Sequence, residues 1–160
     1  MNRSERNILI TGCSSGIGYH VAHGLQQRGY RVIASARREE DVQRLRSEGL
    51  TCLQLDLDSP DSIRQATDKL EIITNKNIFG LFNNAGFGQP GAVEDLRREV
   101  LRAQFETNVF GTLDLTNRLI PWMRETGQGR IIQNSSVLGF VSLAYRGAYN
   151  ASKYALEGLY

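Results

Sequence analysis

Tyr149 and Lys153 stand four residues apart in the stretch Tyr149-Asn150-Ala151-Ser152-Lys153. In a helix both side chains leave the same face, about 6 Å apart along the axis. A phenol with an intrinsic pKa of about 10 exchanges protons poorly at neutral pH, and a neighbouring ammonium favours its ionised form. The pair therefore suits Tyr149 to serve as a general acid toward a carbonyl oxygen, or as a base toward an alcohol. Alone, a Tyr and a Lys at this spacing also describe an ordinary surface pair, so the force of the reading comes from company. Ser136 lies thirteen residues before Tyr149, just after a stretch, Arg130 to Asn134, that reads as a strand. A strand, loop and helix in that order can bring its hydroxyl to the same oxygen.

A second group of residues suits an anion. Thr11-Gly12-Cys13-Ser14-Ser15-Gly16-Ile17-Gly18 follows the apolar run Ile8-Leu9-Ile10 and precedes a helical pattern. Glycines at 12, 16 and 18 allow the backbone to lie against a bulky ligand, and the opening amides of the helix are unpaired at its positive end. A pyrophosphate is the natural occupant. The spacing is GxxxGxG rather than the more familiar GxGxxG. Cys13 in this turn reads either as a thiol activated by the helix end or as a small residue filling a tight turn, and the second reading is favoured.

These residues need elements to position them. The pattern predicts strands at 7–11, 30–35, 51–55, 78–82 and 130–134. It predicts helices at 16–29, 39–48, from a Ser59 cap to about 74, and across 93–126. The first strand, helix and second strand form a βαβ unit, which implies parallel strands buried on both faces. The second strand ends in Ser35-Ala36-Arg37-Arg38, with no carboxylate before Glu39. An acid at that place accepts from a ribose diol, whereas a guanidinium grips a 2′-phosphate, so the expectation is NADP(H) over NAD(H). Asp56 follows the third strand, and Asp56 and Asp58 either meet a ligand or cap the turn. Asn83-Asn84-Ala85-Gly86 follows the fourth strand and offers a wall for adenine and ribose, although a plain asparagine turn looks similar. Asn108 and Gly111 interrupt a helix patterned by Val100, Leu101, Phe105, Val109, Leu113 and Leu119, and such breaches of propensity often mark function. Pro121 predicts a kink or a break near the end of this helix.

The composition narrows the partners. Nineteen basic and 17 acidic residues in 160 leave a net charge of +2, without a run of either sign, which gives no reason to propose nucleic acid or an anionic membrane. No stretch approaches membrane-spanning length and the polar start is unlike a signal peptide, so the expected compartment is cytoplasmic. Two cysteines make no disulfide framework. His20 and His23 share a helix face without further ligands and are read as surface residues, and no metal is expected.

With these residues together, the sequence resembles the short-chain dehydrogenase/reductase family. Thr11 to Gly18 matches its TGxxxGxG turn and Asn83 to Gly86 its NNAG. Asn108 matches the asparagine of its long helix, and Ser136, Tyr149 and Lys153 match its catalytic residues at the family's spacing. The resemblance implies a Rossmann-type, doubly wound α/β sheet of strand order 3-2-1-4-5, built by residues 1–160 as one dinucleotide-binding domain. The family continues past the active-site helix with further strands, so the expectation is a domain incomplete at its C-terminus, with the fifth strand as an uncovered edge.

The implied activity is hydride transfer between NADP(H) and a carbonyl or alcohol. Tyr149 would exchange the proton, Ser136 polarise the oxygen, Lys153 hold the ribose, and Asn108 position a relay water. Cofactor contacts are implied for Thr11, Gly12, Ser14, Ser15, Gly16, Ile17, Gly18, Arg37, Asp56, Leu57, Asn84, Ala85, Gly86, Tyr149 and Lys153. The substrate lining expected from Phe87–Pro90 and Val137–Tyr145 is apolar, and homo-oligomerisation through the long helix and the Tyr149 helix is implied. The alternatives are a nucleotide-binding or interaction module without turnover, and an epimerase or dehydratase on a related scaffold.

Overall fold

A computed structural model describes residues 2–160. In chain order it contains β1 (Asn7–Ile10), α1 (Gly16–Gln27), β2 (Arg31–Ala36), α2 (Glu39–Ser47), β3 (Thr51–Gln54) and α3 (Pro60–Thr74). Then come β4 (Gly80–Asn83), α4 (Arg98–Phe105), α5 (Thr112–Glu125), β5 (Arg130–Gln133) and α6 (Gly147–Leu159). The strands form one parallel sheet in the order β3-β2-β1-β4-β5. This is the Rossmann-type order the sequence implied.

Alternation along the strands divides the core. Leu9, Ile33, Leu53 and Leu81 face one side, where they meet Ile63 and Leu70 of α3 and Leu115 and Leu119 of α5. Ile8, Ile10, Val32 and Ala34 face the other, against Ala22 of α1 and Val42 and Leu45 of α2. Each fully buried Leu or Ile contributes about 1.5–3 kcal/mol relative to exposure. At the sheet's edge β5 pairs, among the described residues, with β4 alone, and its Ile132 is 59% exposed.

The local signals act as expected at several ends. The Ser59 hydroxyl accepts from Ser62 N–H at 3.2 Å, Pro60 opens α3, and Gly29, Gly49 and Gly127 take positive φ just beyond helices. Two expectations change. The helix predicted from 93 begins at Arg98, after a short 3₁₀ turn at Val93–Asp95. Pro121 lies inside α5 without ending it.

Between α4 and α5, Glu106–Gly111 forms a turn of π-helix. A π turn inserts a residue and rotates the following face by about 100°. Asn108, Thr112 and Thr116 are buried with Leu115 and Leu119, as is Gln104 ahead of the turn, while Leu101 and Phe110 are exposed. A Cβ on Gly111 would collide with the Leu57 carbonyl, so glycine here lets the π turn seat on the loop after β3. Among the described residues no helix is long and apolar enough to cross a membrane.

Candidate active site

The carboxyl ends of all five strands open on one side of the sheet, where ligands of such folds gather. Two cavities lie there and share Gly86 and Phe87. The first, of about 510 Å³, is lined by Thr11, Gly12 and Ser14 after β1, Ser35 and Arg37 at the end of β2, Leu55 to Asp58 after β3, Ala85 and Gly86 after β4, and Thr107.

The glycine turn is shaped by close packing. Gly12 has φ +70°, and a Cβ on it would lie 2.8 Å from Ala85 Cα; a Cβ on Gly18 would strike the Gly12 carbonyl and the Asn84 amide. Ser15, Gly16 and Ile17 are exposed at the start of α1, and nothing lies within 4 Å of a Cβ on Gly16. That leaves the helix amides open to an anion. From α2, the Arg44 guanidinium donates to the Ser14 carbonyl at 2.6 Å while Asp41 and Glu48 hold it at 3.2 and 3.0 Å. His23 meets the other oxygen of Glu48 at 3.1 Å, which places it on the surface as read from sequence.

Thr11 and Asn84 tie the strand ends together. Thr11 Oγ1 accepts from the N–H groups of Asn84 and Ala85, both at 2.9 Å. Asn84 Nδ2 donates to the carbonyls of Thr11 and Gly12, and its Oδ1 accepts from Asn134 Nδ2 at 2.9 Å. Asn84 is thus a brace that spans β1, β4 and β5, while Ala85 and Gly86 form the wall. Asp56 Oδ1 accepts from Asp58 N–H at 3.1 Å, and Asp58 accepts from the Thr107 hydroxyl, so both carboxylates brace their turn as well as lining the cavity. Leu57 is 5% exposed.

Arg37 is exposed, and its guanidinium has no partner among the described residues, whereas Arg38 pairs with Glu40 at 3.3 Å. Cys13 is buried, its thiol donating to the Ile10 carbonyl at 3.2 Å, and burial pushes its pKa up to about 12. It fills the turn and is not an activated nucleophile.

The second cavity, of about 500 Å³, is lined by Asn84, Gly86, Phe87, Gly88, Asn134, Ser135, Leu138, Leu143, Arg146, Tyr149 and Lys153. Tyr149 and Lys153 project from α6, with Lys153 Nζ 5.6 Å from the Tyr149 ring centre. Lys153 is 6% exposed and donates to the Asn134 carbonyl at 2.8 Å. Burial holds its pKa below the usual lysine value, partly offset by Glu157. The Ser136 hydroxyl accepts from Leu138 N–H at 3.1 Å, at the start of a short 3₁₀ turn. The strand-end residue in the cavity wall is its neighbour Ser135, whose hydroxyl is buried without a partner. Of the apolar residues expected to line the site, Phe87, Leu138 and Leu143 do so, while Phe140 and Tyr145 are about 70% exposed and stand outside it.

Asn108 is committed to the frame. Its Nδ2 donates to the Phe87 carbonyl at 2.9 Å and to Ser152 Oγ at 3.1 Å, and its Oδ1 accepts from Phe87 N–H at 3.1 Å. Gln104, fully buried, completes the clamp by bonding the Phe87 carbonyl and Gln89 N–H, each at 2.7 Å. Gln104, Ser152, Ser135 and Arg44 were not singled out from sequence. A signal existed for Gln104, which lies four residues before Asn108 and continues its helix face.

A sequence profile of the short chain dehydrogenases matches residues 6–160. An uncharacterised oxidoreductase, YbbO, of Escherichia coli K12 is 47% identical over 153 residues, covering 96% of this chain and 57% of its own. A 3-ketodihydrosphingosine reductase of Bacteroides thetaiotaomicron is 37% identical, over 94% of this chain and 54% of its own. A variant of the actinorhodin polyketide ketoreductase, solved with NADPH, superposes with a TM-score of 0.88 at 29% identity, over 99% of this chain and 63% of that one. This chain therefore spans little more than half the length of the curated relatives it matches. On profile, sequence and fold alike, it belongs to the short-chain dehydrogenase family.

Proposed function

We propose that the protein is an oxidoreductase that moves a hydride between NADP(H) and a carbonyl/alcohol pair. The observation that carries this reading is that the two cavities are neighbours and share Gly86 and Phe87 in their walls. One holds the glycine turn and the unpaired Arg37, the other Tyr149 and Lys153. The residues fit the cofactor: an open helix start at Gly16, a guanidinium without a partner, and a buried ammonium with a single protein bond. The NADPH in the related ketoreductase agrees with it.

When bound, the nicotinamide supplies or takes the hydride. Tyr149 exchanges the proton at the substrate oxygen, and Ser136 donates its free hydroxyl hydrogen to that oxygen while still accepting from Leu138 N–H. Lys153 keeps two N–H groups for ribose hydroxyls and places positive charge beside the phenol. Ser14, Ser15, Gly16, Ile17 and Gly18 present amides to the pyrophosphate, and Arg37 reads the 2′-phosphate. Ala85 and Gly86 flank the adenosine with Asp56 and Leu57. The Asn108 side chain is already occupied, so a relay water would use its backbone carbonyl in the π turn.

Phe87, Leu138 and Leu143 support an apolar body for the substrate. The reading extends to a cytoplasmic setting, which the two free, buried thiols support. It also includes a homo-oligomer through α4–α5 and α6, where Leu101, Phe110 and Tyr154 are exposed.

The test is titration with NADPH and NADH, for this chain and for Arg37→Ala. NADPH should bind more tightly, by about tenfold or more, and the preference should vanish in the variant. Equal affinities in both proteins would remove Arg37 from the reading. Failure of either nucleotide to bind would remove the cofactor site.

A further inference from the structure

The second cavity has an electrostatic feature that proton transfer does not use. None of its lining residues is a carboxylate, and two are cations, Lys153 and Arg146. Lys153 is tied to the Asn134 carbonyl. The Arg146 guanidinium has neither a hydrogen bond nor an ion pair with any described residue. By contrast, Arg44, Arg64 and Arg118 lie against carboxylates, and Arg31 and Arg46 donate to backbone carbonyls.

The backbone that carries Arg146 is held firmly. Its N–H donates to the Leu143 carbonyl at 3.3 Å, and its carbonyl accepts from Asn150 N–H at 2.7 Å. Gly91 N–H donates to the Tyr145 carbonyl at 3.0 Å, and Tyr145 sits at φ +60°, a backbone state that bulky residues rarely adopt. Such strain persists where the surroundings over-determine it, and it clusters at ligand sites. Arg146 is the N-cap of α6, three residues before Tyr149, and both side chains line the same cavity.

We propose that Arg146 selects the substrate: a carbonyl compound that also carries a carboxylate, separated from the reacting carbonyl by a short apolar spacer. This rests on the oxidoreductase reading and names the substrate class for it. The guanidinium matches a carboxylate with two parallel N–H bonds, and Phe87, Leu138 and Leu143 cover the spacer. The carboxylate is unchanged by the reaction.

The test compares adipic and azelaic semialdehydes with their methyl esters as substrates with NADPH. The acids should exceed the esters by about tenfold or more in kcat/KM, chiefly through KM, and the excess should shrink in high salt. Arg146→Met should bring the acids down to the esters' values, and Arg146→Lys should keep part of the preference. Circular dichroism and thermal unfolding would establish that the variants fold. A parallel titration of hexanoate and methyl hexanoate, followed by NMR, needs no turnover. If no aldehyde is reduced, the oxidoreductase reading fails and this titration decides on Arg146 alone. Equal response to the two compounds, or a preference for the anion that survives in Arg146→Met, overturns the proposal.

Discussion

Replacing Asn108 with alanine should damage the fold before it damages any chemistry. The side chain is 1% exposed and makes three hydrogen bonds, two from Nδ2 to Phe87 O and Ser152 Oγ and one from Phe87 N–H to Oδ1. After truncation Phe87 O keeps Gln104, and Ser152 still donates to Tyr149 O at 2.8 Å, but Phe87 N–H is left without a protein acceptor. At about 1 kcal/mol net for each bond, the loss is about 3 kcal/mol. For a domain of this size that lowers Tm by about 6–12 °C. Urea unfolding at neutral pH measures the loss, and hydrogen exchange should show faster exchange confined first to the Phe87–Gln89 backbone. Asn108→Asp should be as harmful at neutral pH, because it keeps the acceptor for Phe87 N–H but sets a carboxylate against the Phe87 carbonyl. A loss below about 1 kcal/mol in Asn108→Ala, with the loop amides still protected, would refute the bracing role.

Further predictions concern the glycine turn. Arg44→Met removes the bond to Ser14 O and should weaken NADPH and NADH by the same factor, about three- to tenfold, because Asp41 and Glu48 already neutralise this guanidinium. A selective loss of NADPH affinity would mean that Arg44 meets the 2′-phosphate itself. Cys13 has a thiol pKa of 9.0 when unfolded and about 12 when folded, so its stabilising contribution is complete below pH 9 and is lost as pH rises from there toward 12. The loss is about 1.4 kcal/mol per pH unit, and urea unfolding at pH 8 and 10 should show it reduced in Cys13→Ala. The same pH slope in both proteins would contradict the buried, protonated thiol.

The strands were legible because parallel, doubly covered segments read as short apolar runs between turn residues, and their alternation places Ile8 and Ile10 on one face and Leu9 on the other. The glycine turn and the Ser59 cap were legible for the same local reason. The π turn was visible only as a fault, since Asn108 and Gly111 broke the helical pattern. What resolves the fault is the close seat of Gly111 on Leu57, a contact between distant parts of the chain. Arg44 and Ser152 were missed because each acts through a backbone or side-chain atom 30 or more residues away, and no local spacing records that, whereas Gln104 was marked locally only by its place four residues before Asn108. Asn84 was singled out by its motif. Its bonds across β1, β4 and β5 show that holding the wall is a large part of its contribution.

The most direct test of the account is NADPH consumption, followed by nicotinamide absorbance with an aliphatic aldehyde, in this chain and in Tyr149→Phe. The phenol hydroxyl has no protein partner among the described residues, so its removal should leave the fold intact. The account predicts oxidation of NADPH with the unaltered chain and a fall of about a hundredfold or more in the variant, the scale of a lost general acid. Equal rates in the two proteins would contradict the assignment of Tyr149 as the proton donor.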